Sequence, residues 1–324
     1  MVRCVYLVLN INSYIAGFFS LSLNVLLFAM ILKWSVRNLA RYRGILAFNC
    51  TVDILFAVLS SLTNFTYLVT DSTMILFSTG PIVLLGQSMG RALLCLQDSM
   101  IFLAIVVVPI SYIFRYFVIV RRMTMKSSYV FLMASVSLLS FVGFFASVYI
   151  VIENNFSKYE EHRRIVAEEM GIEDQKKIVL MAGDVLNLDM QICLLYLYTF
   201  VIISYTAMCF CTKKILKVLR ESRGLSDHCR KLQNQLTAAL FVQALVPLVL
   251  LVVPCLFLLV SVLVDSRLGL SVQLGSALLA WLPALNATVT LCIVSPYRKG
   301  VKGLLKKKMK MKISQYLSNQ NGYM

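Results

Sequence analysis

The stretch 236–264, with the sequence LTAALFVQALVPLVLLVVPCLFLLVSVLV, decides the fold class because it contains no charged residue. A transmembrane helix needs about 20 predominantly apolar residues to cross roughly 30 Å of hydrocarbon, and this stretch exceeds that length. The whole chain agrees, since 59% of its 324 residues are apolar and only 14% are charged. A typical soluble domain has about 25% charged residues. The composition therefore excludes a soluble globular domain, and it is too apolar for a disordered chain.

Seven stretches of the chain meet the same standard, which predicts an all-α protein built as a seven-transmembrane helix bundle. The predicted spans cover 5–32, 45–69, 92–119, 129–152, 190–211, 236–264 and 271–295. The apolar stretch 74–86 is too short to cross a bilayer, and we expect it in an outside loop that packs onto the bundle. The sequence thus predicts a membrane domain over residues 1–295 and a basic cytoplasmic tail over residues 296–324.

The basic residues lie mostly on one side of the predicted bundle. Of the 31 Lys and Arg residues, 23 lie in the tail and in one alternate set of loops or their adjoining helix ends, and 8 lie on the other side. By the positive-inside rule, this split predicts that the N-terminus is outside and the C-terminus is cytoplasmic. The formal net charge of +16 therefore marks a cytoplasmic face, and we expect no nucleic-acid partner.

Acidic residues concentrate in the predicted outside loop 153–189, which contains nine of the 15 Asp and Glu residues. Two interpretations stay open for this loop. The acidic residues either solvate an exposed segment or form a lid over a ligand entrance. Within the loop, residues 159–182 could form a surface helix.

Two polar groups in the predicted spans suggest a site near the outer face and a polar core. Asp98 follows Gln97 in the third span, and both are candidates for ligand contact, although solvation at the mouth of the bundle would also explain Asp98. Asp53 lies in the second span and is expected to join Asn24, Asn49 and Asn286 in a polar network. That network is either functional or a hydrogen-bonded strut between helices.

Arg115, near the inner end of the third span, has two interpretations. Its side chain either snorkels to the interface or belongs to a cytoplasmic partner site. Pro247 and Pro254 lie in the sixth span, where a proline deletes one backbone hydrogen bond and bends the helix. We expect them to act as a hinge, with plain packing curvature as the alternative.

The cysteine and sequon patterns make two weaker predictions. Cys95 and Cys193 lie near the outer face, where a disulfide between the third and fifth spans is permitted. Asn155, in Asn155-Phe156-Ser157, is a candidate glycosylation site outside the membrane. The two His residues lie in loops on opposite sides and no catalytic or nucleotide motif occurs, so we expect no enzyme activity, no metal and no cofactor.

The tail combines a helical repeat with positive charge. Val301, Leu305, Met309 and Ile313 recur every four residues among Lys and Arg residues, without an acid. This pattern predicts an interfacial amphipathic helix on anionic membrane lipids. A target helix of the calmodulin type is the alternative.

Short motifs at the ends of the third and seventh spans resemble those of G-protein-coupled receptors. Phe114-Arg115-Tyr116 keeps the Arg-aromatic pair of the rhodopsin-like motif and lacks its acid, and Ser295-Pro296-Tyr297-Arg298 replaces the usual Asn-Pro-x-x-Tyr. The stretch 230–247 and the terminal Pro296-Tyr297-Arg298 more strongly resemble nematode serpentine chemoreceptors of the Str superfamily. Class d (Srd) looks closest.

This resemblance implies a chemosensory receptor in the plasma membrane, in the cilia of sensory neurons. It implies a small-molecule ligand that enters from outside, and a heterotrimeric G protein that meets Arg115, Tyr116, Tyr297 and Arg298. A ligand-gated channel or transporter is the alternative. The charge distribution opposes an N-inside channel of the insect type, and no inverted repeat is evident.

Overall fold

The computed structural model describes residues 2–33, 42–70, 72–124, 126–221, 227–264, 269–303 and 306. Across these residues, long helices form a bundle and a small antiparallel sheet covers one end of it. The elements in chain order are α1 (Val2–Lys33), α2 (Arg43–Thr63), β1 (Phe65–Thr70), β2 (Thr73–Ser78), α3 (Gln87–Ile119), α4 (Ser127–Asn154), α5 (Tyr159–Met170), β3 (Val179–Asp184), α6 (Leu188–Glu221), α7 (Asp227–Val264), α8 (Gly269–Leu279), α9 (Leu282–Ile293) and α10 (295–303).

Each of the first six predicted spans falls mainly on one long helix, and the seventh falls on two short helices. Among the residues described, α1, α2, α3, α4 and α6 are each long and apolar enough to cross a membrane. The uncharged stretch 236–264 lies within α7, which is 38 residues long. The seventh predicted span corresponds to α8 and α9 together. The predicted helix bundle is therefore present.

The seventh span is two helices because a proline interrupts it. Pro283 lies in the first turn of α9, where its missing N–H costs no helical hydrogen bond. A turn at Trp281 separates α9 from α8, and the Trp281 indole N–H donates a hydrogen bond to Asn12 Oδ1 in α1 at 3.0 Å. This contact ties the break to the neighbouring helix.

The second span is shorter than the sequence predicts. α2 ends at Thr63 because Asn64 adopts a left-handed conformation with φ of 44°. Residues 65–70 then form β1 instead of continuing the helix to residue 69. Their aromatic and β-branched side chains suit a strand, and β2 supplies the pairing partner.

The predicted outside loops form a compact cap made of residues 65–70, 72–78 and 156–184. β2 pairs antiparallel with both β1 and β3, so that Leu76 lies opposite Tyr67 on one side and Met181 on the other. The predicted surface helix 159–182 is confirmed only for its first half, because α5 ends at Met170. Gly171 has a φ of 64° and stops the helix, and residues 179–184 complete the sheet.

The central helix of the bundle is α3, which packs against α2, α4, α6 and α7. Its apolar window is 78% buried, against 17–44% for the other four helices above. Phe102 of α3 stacks on Phe144 of α4 with ring centroids 4.5 Å apart, and it also contacts Phe200 of α6. The cap and the opposite end of the bundle are thus joined by one buried helix.

Only the start of the tail is described. Val301 lies in α10 and packs against the cluster around Tyr297, so this apolar position faces the bundle. Leu305, Met309 and Ile313 lie outside the described residues. The amphipathic tail helix therefore stays a prediction beyond residue 303.

Candidate functional site

A cavity of about 170 Å³ lies beneath the cap, between α3, α4 and α6. Strands β1, β2 and β3 contribute Tyr67, Leu76 and Met181 to its wall, so the sheet forms part of the enclosure. Most of the lining is apolar or aromatic. The helical lining includes Asp98, Ile101, Phe102, Phe144, Val148, Cys193, Leu194 and Leu197.

Among the described residues that line the cavity, Asp98 is the one acidic residue, and none of them is Lys or Arg. The Tyr67 hydroxyl donates a hydrogen bond to Asp98 Oδ1 at 2.5 Å. This bond crosses from β1 in the cap to α3 in the bundle. A carboxylate in an apolar cavity can accept a hydrogen bond from a ligand or pair with a ligand cation.

Gln97 and Asp98 are predicted together as ligand contacts, but the structure separates them. Asp98 lines the cavity together with Ile101 and Phe102, three and four residues further along α3, and Gln97 is not among the described residues that line it. Gln97 is fully buried, and its side-chain amide makes no hydrogen bond within the described part of the chain. Its role as a ligand contact stays a prediction without support from the lining.

Cys95 and Cys193 are both free thiols, so the predicted disulfide is not formed in the structure. Each thiol makes its own polar contact. Cys95 Sγ donates to the Phe145 carbonyl at 3.8 Å, and Cys193 Sγ accepts from the Ser147 hydroxyl at 3.5 Å. Cys193 also lines the cavity.

Of the predicted polar core, Asp53 and Asn286 bond to each other, whereas Asn24 bonds to the Pro283 carbonyl and Asn49 to the Ser111 hydroxyl. Asn286 Nδ2 donates to Asp53 Oδ1 at 3.1 Å, which joins α9 to α2. Asn24 Nδ2 donates to the Pro283 carbonyl at 2.9 Å, which joins α1 to the start of α9. Gln243 of α7, which the sequence did not mark as a core residue, donates to the Asn286 carbonyl at 2.9 Å. Its signal was present, since Gln243 is the sole amide side chain in the uncharged stretch 236–264.

Arg115 is buried at the end of α3 opposite the cap, with an exposed fraction of 2%. Arg115 Nη2 donates to Gln233 Oε1 at 3.0 Å and to the Gln233 carbonyl at 2.8 Å. The Tyr42 hydroxyl also donates to Gln233 Oε1, at 3.4 Å. Arg115 is therefore held inside the bundle against α7, rather than snorkelling. No sequence signal marked Gln233 as its partner.

The other predicted coupling residues lie around Arg115 without forming one cluster. Tyr116 packs against Phe210 of α6, with ring centroids 5.9 Å apart. Tyr297 is fully buried in α10, and Arg298 is exposed and donates to the Cys292 carbonyl at 3.4 Å. Only Arg298 is therefore exposed at the surface.

The structure places the two candidate hinge prolines within one helix and the candidate glycosylation site at a helix end. Pro247 and Pro254 both lie inside α7, which stays helical from Asp227 to Val264. Asn155 follows the end of α4, where its Nδ2 donates to the Val151 carbonyl at 2.9 Å and its Oδ1 accepts from Asn187.

Burial and hydrogen bonding shift two titratable groups in the cap. Burial lowers the pKa of His162 in α5. The backbone N–H of Leu186 holds the pKa of Asp184 below its usual range, because it donates to the carboxylate at 3.0 Å.

The fold is that of a seven-helix receptor. The crystal structure of squid rhodopsin is similar, with a TM-score of 0.58 at 13% sequence identity over 93% of this chain and 80% of that chain. The family model of the serpentine type 7TM GPCR chemoreceptor Str matches residues 9–302. The chain belongs to this chemoreceptor family and is a multi-pass membrane protein. Among curated proteins, no sequence matches the chain. Its assignment to class d within the superfamily stays a prediction.

Proposed function

We propose that the protein binds a small ligand in the cavity beneath the cap and activates a heterotrimeric G protein at the Arg115 end. The main support for this proposal is that Asp98 and Arg115 lie on the same buried helix, α3. At 1.5 Å per residue they are about 25 Å apart. A displacement of α3 at the cavity is therefore transmitted toward the opposite end of the bundle.

The cavity sets the size and chemistry of the ligand. An engineered protein cavity of about 150 Å³ lined by apolar side chains is enough to hold benzene. A cavity of about 170 Å³ therefore suits a compact, mainly apolar molecule. Asp98 would accept a hydrogen bond from an amine or hydroxyl group on that molecule, in competition with Tyr67.

Activation requires that the ligand prefers one arrangement of the bundle over another. Cys193, Leu194 and Leu197 of α6 line the cavity, so a ligand that separates α3 from α6 strains their contact. At the other end, Arg115 would leave Gln233 and, with Tyr116 and Arg298, face the G protein. Pro247 and Pro254 would let α7 bend during this step.

In this proposal the N-terminus is outside, the tail is cytoplasmic, and the receptor lies in the plasma membrane, with sensory cilia and class d as further expectations. An N-terminal epitope tag detected by antibody on unpermeabilised cells would support the orientation. Detection only after permeabilisation would overturn it.

The test of ligand binding is a screen of small apolar compounds, with and without an amine or hydroxyl group. The cells express the receptor with a promiscuous G-protein reporter. Val148→Trp would fill the cavity, because Val148 lines it from α4. Leu139→Trp is the matched control, since Leu139 lies on the same helix and is 72% exposed.

We expect ligand responses that Val148→Trp abolishes and Leu139→Trp retains, at equal surface expression. Equal ligand responses in both variants would show that the ligand does not bind in this cavity. Ligand-evoked currents without a G protein would instead support the channel alternative.

A further inference from the structure

Each of the two connections that lead from the cap into a long helix exposes a pair of leucines. The first connection leads from β2 to α3 and contains Leu84, which is 88% exposed, and Leu85. Ile82 in the same connection is only 2% exposed, so this segment packs onto the bundle in part. The second connection leads from β3 into α6 and contains Leu186 and Leu188, which are 70% and 71% exposed. Exposed apolar clusters of this kind mark a surface that another apolar partner covers.

Leu188 is the end of an exposed apolar stripe on α6 that lies nearest the cap. Ile192, Leu195 and Ile202 follow it at spacings of four, three and seven residues, which keep to one side of a helix. All four side chains are exposed. Because α6 is long and apolar enough to cross a membrane, this stripe faces the acyl chains of the lipid. The surface around Leu188 is therefore continuous with the lipid-facing surface of the bundle.

The first connection begins beside a similar stripe on α2. Leu55, Val58 and Leu62 are exposed and lie on one side of that helix, which is also apolar enough to cross a membrane. Gly80 lies directly against the Leu62 carbonyl, and a Cβ atom at position 80 would collide with it. The chain from Gly80 to Leu84 therefore leaves the bundle at the point where the lipid-facing stripe of α2 ends.

The lengths of α2 and α6 place both leucine pairs at a similar depth. α2 has 21 residues and is about 31 Å long, which matches the hydrocarbon thickness of about 30 Å, so its end beside Gly80 lies at the hydrocarbon boundary on the cap side. Along α6, Leu188 lies about 38 Å from Lys213, or about 35 Å along the bilayer normal at an ordinary tilt of about 20°. The headgroup layer adds about 5–8 Å on each side of the hydrocarbon. Leu84, just beyond Gly80, and Leu188 both fall within that layer.

We infer that both leucine pairs lie in the headgroup layer of the bilayer on the cap side, so that the partner of both connections is a phospholipid surface. The two pairs precede different helices and share one depth, and a planar lipid surface matches both of them at once. Val185, which lines the cavity, directly precedes Leu186. The lipid contact therefore holds the cap in place over the cavity through both connections.

The experiment uses the purified full chain in phosphatidylcholine nanodiscs, with one fluorescent amino acid incorporated at position 84 or at position 186. Both positions are exposed, so the probe displaces no packed side chain. The same probe at Glu169, which is exposed on α5, is the reference for water, and the probe at Leu139, which is exposed on α4, is the reference for hydrocarbon. Each variant is measured with a nitroxide quencher on the lipid headgroup, with a nitroxide deep in the acyl chain, and with iodide in the water. Thermal unfolding checks that each variant is folded.

We expect the headgroup nitroxide to quench the probe at positions 84 and 186 at least about threefold more strongly than at Glu169, because an interfacial apolar side chain lies among the headgroups. The deep nitroxide should quench the probe at Leu139 most strongly. Headgroup quenching at either test position that equals the quenching at Glu169 would overturn the lipid contact.

Two further results would also contradict the inference. Stronger quenching by the deep nitroxide than by the headgroup nitroxide at position 84 or 186 would place the leucines in the hydrocarbon and overturn the proposed depth. Protection from iodide without quenching by either lipid would assign the leucines to a protein contact and overturn the lipid partner. If a probe at 84 or 186 prevents folding, positions 85 and 188 decide by the same criteria.

Discussion

Tyr67 of the cap and Asp98 of α3 are joined by a hydrogen bond across the roof of the cavity. The two residues are 31 positions apart in sequence and belong to different kinds of element. The carboxylate that would meet a ligand is therefore already occupied by a hydroxyl of the cap. Ligand affinity and cap stability should consequently depend on the same bond.

Replacing Tyr67 by Phe removes the donor and leaves the Asp98 carboxylate without it. We expect a loss of about 1 kcal/mol or more in stability, because a half-buried charged acceptor loses this donor. The measurement is thermal unfolding of the purified receptor. Tyr14→Phe serves as the control, since Tyr14 is 47% exposed on α1. Equal unfolding midpoints for the two variants would contradict the role of this bond.

The contact between Arg115 and Gln233 should set ligand-independent signalling. Gln233→Leu removes the side-chain acceptor and should raise basal signalling about tenfold or more, since a hydrogen bond to a charged group contributes about 1.5–3 kcal/mol. Gln233→Glu should lower basal signalling because a carboxylate holds Arg115 more strongly. The readout is reporter activity at equal surface expression. Changes in the same direction for both variants would argue against the contact as a restraint.

Arg115 itself should be required for coupling. Arg115→Ala should abolish ligand-driven G-protein activation while the receptor still reaches the cell surface. Surface staining and reporter activity are measured on the same cells. Arg298→Ala tests the exposed arginine nearby and should reduce coupling less, because the hydrogen bond from Arg298 to the Cys292 carbonyl is long, at 3.4 Å, and its loss should disturb the bundle little. Intact signalling in Arg115→Ala would show that Arg115 is not required for G-protein coupling.

In the polar core, Asp53→Asn should destabilise the protein less than Asn286→Ala does. Asn286→Ala deletes the donor to the half-buried Asp53 carboxylate, which should cost about 1–3 kcal/mol. Asp53→Asn keeps the shape of the side chain and removes its charge, so it should cost less. Surface expression and unfolding midpoints of the two variants distinguish the outcomes. A milder effect of Asn286→Ala would mean that this bond contributes little.

The cap should loosen in mild acid because of His162. Burial lowers the pKa of His162 below the value of about 6.5 that it has when unfolded. Above that pH both states are neutral, and as the pH falls below it the unfolded state takes up its proton first. Stability is therefore lost from about pH 6.5 downward until the folded pKa is reached. Lys158, Glu161 and Asp184 also act on His162, and burial is the largest influence.

Hydrogen exchange over residues 156–184 at pH 5.5 and 7.5, corrected for intrinsic rates, measures this effect. His162→Gln should remove most of the difference in hydrogen exchange between the two pH values, whereas His228→Gln should leave that difference unchanged. The pKa of Asp184 is also lowered, so its contribution is lost only as the pH falls through that still lower value. An unchanged pH difference in His162→Gln would assign the effect to another group.

The helix bundle was predictable because hydropathy is a local property. A helical stretch such as 236–264 satisfies most of its backbone hydrogen bonds within itself, apart from those that Pro247 and Pro254 delete, and needs only enough apolar length to cross the bilayer. Asp53, Asp98 and Arg115 were marked for the same reason, since a charge within an apolar stretch is visible without any partner. Their partners were harder to find. Only Asn286 was named in advance, from its place as an amide in the seventh span.

The cap and the site geometry were decided by tertiary structure. β2 pairs with β3 across about a hundred residues of chain, and no local pattern encodes that register. The same long-range packing ends α2 at Thr63 and brings Tyr67 onto Asp98, while Gln97 faces elsewhere. Gln233 likewise meets Arg115 only because α7 packs on α3. Apolar length along the chain determines which segments cross the membrane, and contacts between distant segments determine which polar groups meet.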